Sequence, residues 1–236
     1  MLKRLIKSKI KNLELRISRI SEKRYINFLR KNGIEIGDDI KFHGKLNTIS
    51  IDITRPSLVT IGSNISFNGY FNLITHDWGT YVIRRKYNEF IPSSGRVTIG
   101  NNVVFGRNVT VLKGVKIGDN CIIGNGSIVT KDIPSNSVAV GSPAKVISDL
   151  EEYYIKRKEK CIEEAFDYAR SIQTRFNRRP VIQDFWEEFG LFLNGEDICS
   201  ELPIKFQMGP AYEDYKKQHK AIFNGFDDFL KQAGIE

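Results

Sequence analysis

Two hydrophobic periods divide the chain. Leu2, Ile6, Ile10, Leu13, Ile17 and Ile20 recur at spacings of four and three, with Lys and Arg on the other face, which predicts a helix over residues 2–31. Asn32-Gly33 supplies helix-ending chemistry. From residue 33 to 147 the period becomes six. Ile99, Phe105, Val111, Ile117, Ile123 and Val129 form one row without a miss. Val103, Val109, Val115, Cys121 and Ser127 form a second row of smaller side chains. Partial earlier copies run through Ile61, Phe67 and Leu73, with Ile65 and Phe71 beside them, and through Ile36, Ile40 and Phe42.

A period of six is neither that of a helix nor that of an alternating strand. It fits a short strand plus a turn. Three such units make a coil of about 18 residues, in which each strand stacks on its equivalent one coil away. The large row fills the interior and the small row fits the corners. Gly100, Gly106, Gly118 and Gly124 each follow a first-row residue, and Asn and Gly accept the positive φ that turns often need. The predicted class is mainly β: a three-sided parallel β-helix with helical extensions.

The ladder lapses between Leu73 and Val97. Residues 77–96 carry Trp78, Tyr81, Arg84, Arg85, Lys86, Tyr87 and Pro92 and are expected to form a loop insertion, the kind of interruption that carries function. From Ser148 the pattern is helical again. Ser148 and Glu151 suggest a capping box before a helix to about Phe176. A second helix is expected from Pro180 through Trp186 and Phe189, and a third from about Ala211 to Leu230. The expected domains are therefore an amphipathic helix (1–32), a β-helix (33–147) and a helical extension (148–236).

The net charge of +8 is unevenly placed. Residues 1–31 hold eleven basic and two acidic residues, or +9; the other 25 basic and 26 acidic residues give −1. A charge confined to one segment argues against a nucleic-acid partner. It leaves three readings for the helix: a coiled-coil seam, a helix packed on the β region, or an interfacial helix on anionic membrane. Three widely spaced cysteines suggest neither a disulfide framework nor a zinc motif. No apolar run reaches the ~18 residues of a membrane span, and no secretory signal is recognisable. The expected location is cytoplasmic, with peripheral attachment to the inner membrane face as an open alternative.

The segment IGNNVVFGRNVTVLKGVKIGDNCIIGNGSIVTKDIPSNSVAVGSPAKVI, residues 99–147, resembles the carboxyl half of hexapeptide-repeat acyltransferases. It is most similar to the galactoside, maltose and capsular-polysaccharide O-acetyltransferases, through GSIVTKDIP and GSPAKVI. The resemblance covers about residues 33–147. It implies a left-handed parallel β-helix and a homotrimer, with acetyl-CoA in a groove between neighbouring prisms and direct transfer using a histidine as general base, without metal. The matching histidine is His76, in NLITHDW.

An imidazole with an unperturbed pKa of ~6.5 can take a proton from an attacking hydroxyl and return it to the departing thiolate. The plainer alternative for His76 is a surface loop histidine. Asp52 and Asp77 are candidates to orient the ring or bind a sugar hydroxyl. Trp78, Tyr81 and Tyr87 offer flat apolar area to a pyranose, and Arg84 and Arg85 could meet a phosphate on the acceptor.

The matched CoA region contains Val104 where the family often has Trp, Asn125 where it often has a small residue, and Lys145 where it often has Arg. Gly106, Gly126, Thr130 and Lys131 complete that set, the lysines being suited to phosphate. The expected activity is acetyl-CoA-dependent O-acetylation of a sugar or a surface or capsular polysaccharide precursor. The alternatives are N-acetylation of an amino nucleotide-sugar and a non-enzymatic, membrane-associated trimeric scaffold. A prism-fold zinc carbonic anhydrase would need clustered histidines, and His43, His76 and His219 show no ligand spacing.

Overall fold

The structure is a computed structural model that describes residues 2–197 and 199–236, with side chains from residue 9 onward. The predicted single helix is two: α1 (Leu2–Ser18) and α2 (Glu22–Lys31). Ser21 is extended (φ −149°) and its hydroxyl accepts the Arg24 N–H at 3.4 Å, so a residue inside the apparent periodic run is the N-cap of a new helix. The side chains of Leu2 and Ile6 lie outside the described residues.

The six-residue rows form three parallel ladders that the chain visits in turn. The first face stacks β1 (Glu35–Ile36), β4 (Val59–Ile61), β7 (Val97–Ile99) and β10 (Lys116–Ile117). The second stacks β2 (Ile40–His43), β5 (Ile65–Asn68), β8 (Val103–Phe105), β11 (Cys121–Ile123) and β13 (Ser137–Gly141), followed by β14 (Ala144–Asp149). The third stacks β3 (Ile49–Ile51), β6 (Phe71–Leu73), β9 (Thr110–Val111) and β12 (Ile128–Val129). Every residue of both hydrophobic rows is buried. Phe42, Phe67 and Phe105 stack along the axis, with centroids 5.4 and 5.3 Å apart.

Pairing offsets show where residues were added. Val103 pairs with Cys121, eighteen positions on, which is the regular coil. Leu73 pairs with Val111, an offset of 38, twenty more than the regular coil and the length of the 77–96 insertion. That insertion is not all loop, because residues Thr80–Tyr87 form α3. In the early coils Ile40 pairs with Ile65 and Ile49 with Phe71, and the extra residues form 3-10 turns at Leu46–Thr48 and Pro56–Leu58.

One edge of the coil is an amide ladder. Asp39, Asn64, Asn102, Asn120 and Asn136 all adopt positive φ, between 52° and 58°. The Asn64 Nδ2 donates to Asn102 Oδ1 (2.9 Å), Asn102 to Asn120 (2.9 Å) and Asn120 to Asn136 (2.8 Å). Asn is suited twice here, tolerating the left-handed backbone and carrying both a donor and an acceptor.

The two ends of the stack are covered differently, one by basic side chains and the other, on the second face, by a reversed strand. Ladder N–H groups donate to the next coil, as Gly37 does to Ile61 and Asp52 to Leu73, so carbonyls of the first coil have no earlier coil to accept from. Basic side chains fill the gap: Arg30 Nε donates to Ile36 O (3.0 Å), Arg19 Nη2 to Ile49 O (2.8 Å) and Lys11 Nζ to Ile53 O (2.9 Å). Tyr25 of α2 sets its ring edge against Phe42 at 5.7 Å, and Phe28 and Leu29 join the same core. At the other end β13 pairs antiparallel with β14.

The chain divides into two units, residues 1–153 and 154–236. The second has its own core, including Ala169, Ile172, Phe185, Phe192, Phe229 and Leu230. The long helix α4 (Leu150–Phe176), which begins in the first unit, is capped by Asp149, whose Oδ1 accepts the Glu152 N–H at 2.7 Å; Ser148, the expected cap, belongs to β14. The helix expected from Pro180 is replaced by 3-10 turns at Ile182–Asp184 and Phe189–Leu191, the first with Asp184 accepting the Val181 N–H and pairing with the Arg178 guanidinium. After α5 (Ile204–Met208), the third expected helix is broken into α6 (Tyr212–Gln218) and α7 (Phe226–Gln232), with His219 extended and Gly225 at φ +90° between them.

Candidate active site

His76 lies just past β6, where the chain leaves the coil for the insertion. Alternation buries Leu73 and Thr75 and turns His76 outward. Asp52 follows β3 at the same edge, and its N–H joins the ladder at Leu73 O (3.1 Å). This register brings Asp52 Oδ2 to 2.8 Å from His76 Nδ1, with the two side chains 9% and 18% exposed.

The Asp52 carboxylate is held from every side. Its Oδ1 accepts from the Thr54 N–H (2.8 Å) and hydroxyl (2.6 Å), and its Oδ2 from the Thr75 N–H (3.2 Å) and hydroxyl. Burial pushes this carboxyl up, but the hydrogen bonds from Thr54, Thr75 and His76 outweigh it and hold the group well below the usual carboxylate range. An ionised carboxylate can only accept, so Nδ1 is the nitrogen that donates to Asp52, and in the neutral tautomer with that proton Nε2 presents its lone pair.

His76 faces a cleft of about 450 Å³ lined by Ile74, His76, Asp77, Trp78, Leu112 and Lys113. Asp77 does not reach the imidazole in the way Asp52 does. Its Oδ2 pairs with Lys113 Nζ (2.8 Å) and accepts the Ser93 hydroxyl (2.7 Å), while Oδ1 accepts the Gly79 N–H (3.0 Å). Those bonds from Lys113, Ser93 and Gly79 hold it well below the usual carboxylate range. The Lys113 ammonium also donates to Ser93. Asp77 and Ser93 therefore join the two feet of the insertion, and Lys113 fastens them to the next coil.

From that anchored foot an aromatic row extends along the insertion. The Trp78 ring meets His76 edge-on at 6.0 Å and Tyr81 at 5.3 Å, and the Arg84 guanidinium lies 4.0 Å over Tyr81. Trp78, Tyr81 and Tyr87 are all exposed. Tyr81 and Arg84, three apart, align on one side of α3, and Trp78 lies just before its first turn.

The residues matched to CoA binding do not form one patch within the chain. Thr130 and Lys131 continue the His76 edge, one coil beyond Leu112 and Lys113 by the pairing of Val111 with Val129. Gly106, Asn125 and Gly126 occupy the corner between the second and third faces. There Asn125 Oδ1 accepts the Arg107 N–H at 2.6 Å, and a Cβ on Gly106 would lie 2.6 Å from the Asn125 nitrogen. Val104 is on the second face and Lys145 on β14. Among the described residues no group of three or more His, Cys, Asp and Glu side chains could hold a metal ion.

Thr54, Thr75, Ser93 and Lys113 were not singled out from the sequence. Two of them left a signal: Asp52-Ile53-Thr54 has the spacing of a turn closed by its own carboxylate, and Thr75 precedes His76. Lys113 could be found only by knowing the 38-residue offset that carries Thr75 onto it.

A family profile described as bacterial transferase hexapeptide (six repeats) matches residues 96–131. Protein CapG of Staphylococcus aureus is 35% identical over 163 residues, covering 67% of this chain and 88% of CapG. Galactoside O-acetyltransferase of Escherichia coli K12 is 55% identical over 64 residues, 25% of this chain and only 32% of that enzyme. Among solved structures, a maltose O-acetyltransferase from Clostridium difficile 630 aligns with a TM-score of 0.45 at 24% identity, covering 60% of this chain and 85% of that one. The repeats matched by the profile, together with 35% identity across most of CapG, place this chain in the bacterial hexapeptide-repeat transferase family.

Proposed function

We propose that the protein is an acetyl-CoA-dependent O-acetyltransferase acting on a sugar hydroxyl of a surface or capsular polysaccharide precursor. The observation that carries this reading is the Asp52–His76 pair beside an open cleft. His76 Nε2 takes the proton of the acceptor hydroxyl as that oxygen attacks the thioester carbonyl. The imidazolium then gives the proton to the leaving CoA sulfur, and the acetyl ester remains on the sugar. Asp52 fixes the tautomer that starts this cycle and stabilises the imidazolium formed within it. Trp78 and Tyr81 offer the sugar a flat wall, and Lys131 lies on the same edge, one coil beyond Lys113, for the anionic co-substrate.

The scatter of the remaining matched residues over a second corner and face fits a left-handed prism that completes its groove with neighbouring copies in a homotrimer. The similarity to a galactoside O-acetyltransferase supports a sugar acceptor.

The test is release of free CoA thiol by the full chain with acetyl-CoA and a panel of hydroxyl and amino sugars. Hydroxyl acceptors should support turnover, and His76→Ala should lower it by about 10²–10⁴-fold. Turnover confined to amino sugars would make this an N-acetyltransferase. A folded protein that neither binds acetyl-CoA nor releases thiol would leave only a scaffold role.

A further inference from the structure

The helix α1 carries an apolar stripe that the fold leaves uncovered. Ile10, Leu13 and Ile17, with Ile20 just past the helix end, are 48–71% exposed. They fall at i, i+3, i+7 and i+10, one side of a helix. The opposite side is in use: Leu15 packs against the coil core, Ser18 is buried, and Lys11 and Arg19 donate to the Ile53 and Ile49 carbonyls. Docking of that side fixes the outward direction of the stripe. It also spends two of the segment's cations on the coil. Lys9 and Arg16 are exposed and neighbour Leu13 at four and three positions, so the stripe has a cationic flank.

We propose that this face of α1 lies in the interface of an anionic lipid bilayer. Charge decides between lipid and a second copy of the chain. Residues 1–31 carry eleven basic against two acidic residues, and two such segments brought face to face would repel; an anionic surface attracts them. An exposed apolar row between charges is what an interfacial helix buries at the headgroup boundary. Among the described residues no helix is long and apolar enough to cross a membrane, so the attachment is in the plane of the surface. The anchoring carbonyls, Ile49 and Ile53, bracket Asp52, so the helix is fixed to the edge that carries His76. The inference stands on α1 alone and survives failure of the acetyl-transfer reading.

The experiment is co-flotation of the full chain with vesicles of phosphatidylcholine alone and of phosphatidylcholine with phosphatidylserine, at low and high salt. Binding is expected to the anionic vesicles only and to fall with salt. Lys9→Ala/Arg16→Ala should weaken it about 25-fold, about fivefold per charge. Leu13→Asn/Ile17→Asn should weaken it at least about tenfold while circular dichroism and turnover on a soluble acceptor stay unchanged. Absence of binding to anionic vesicles, or binding indifferent to both double variants, overturns the proposal. So does a change in assembly size caused by Leu13→Asn/Ile17→Asn without lipid, which would assign the stripe to another copy of the chain.

Discussion

Replacing Asp52 by Asn tests the proposed acetyl transfer, with His76 as its base, at its narrowest point. The substitution preserves shape but removes the charge 2.8 Å from His76 Nδ1 and introduces an amide donor there. Two losses follow. An amide N–H facing Nδ1 favours the tautomer with the proton on Nε2, where the base must be bare. The imidazolium of the transition state also loses a counter-charge. With charge centres about 4 Å apart and an effective dielectric near 20, that interaction is about 4 kcal/mol, or about 10³ in rate. The expected fall in kcat/KM is therefore about 10²–10⁴-fold, with KM for acetyl-CoA little changed. The decisive comparison is with His76→Ala. If Asp52 acts only through the imidazole, Asp52→Asn in that background should cost almost nothing further. A folded Asp52→Asn enzyme within about threefold of the parent, or a double variant slowed by the full product of the single effects, would refute the reasoning.

Other outcomes follow from the same contacts. Asp52 is held below the usual carboxylate range when folded, so the unfolded chain binds its proton first as pH falls. The stability it adds is complete above about pH 5 and is lost as the medium acidifies through and below pH 4, so the Tm gap between parent and Asp52→Asn should narrow there. Lys113→Met releases the feet of the insertion from the next coil, and trypsin should cut at Arg84, Arg85 or Lys86 several times faster in limited proteolysis while the coils stay intact. Asn102→Ala loses two ladder bonds and places a strained residue at φ +55°, so chemical denaturation should show a loss of about 2–4 kcal/mol. Asn102→Gly should recover the conformational share alone.

The coil was legible because its rule is local. One strand and one turn repeat every six residues, so Phe105, Val111 and Ile117 declare their burial without knowledge of the rest. His76 was singled out by the family resemblance of NLITHDW, with its place at the lapse of the repeat as support, and its role as base remains the proposal that these variants test. What lay beyond the sequence was contact between coils of unequal length. Asp52 reaches Thr75 and His76 across 23 and 24 residues, in coils that 3-10 turns lengthen beyond the regular 18, and Asp77 reaches Lys113 across 36, from inside an insertion where the ladder's register is lost. The helical ends were misjudged where a polar residue changed sides. Ser21 and Asp149 became caps, because a short polar side chain beside a free N–H competes with continuation of the preceding element.

A stack of parallel coils is in principle an open-ended polymer: each rim offers the pattern that its next layer needs, and a second molecule could supply that layer as well as the chain itself. The cations of Lys11, Arg19 and Arg30 occupy carbonyls of one rim, and a reversed strand covers the second face at the other. Three of the eleven cations in residues 1–31 are thus spoken for at a rim where another layer could otherwise add. Neutralising those three side chains should expose a seed, at which molecules of this protein would add end to end.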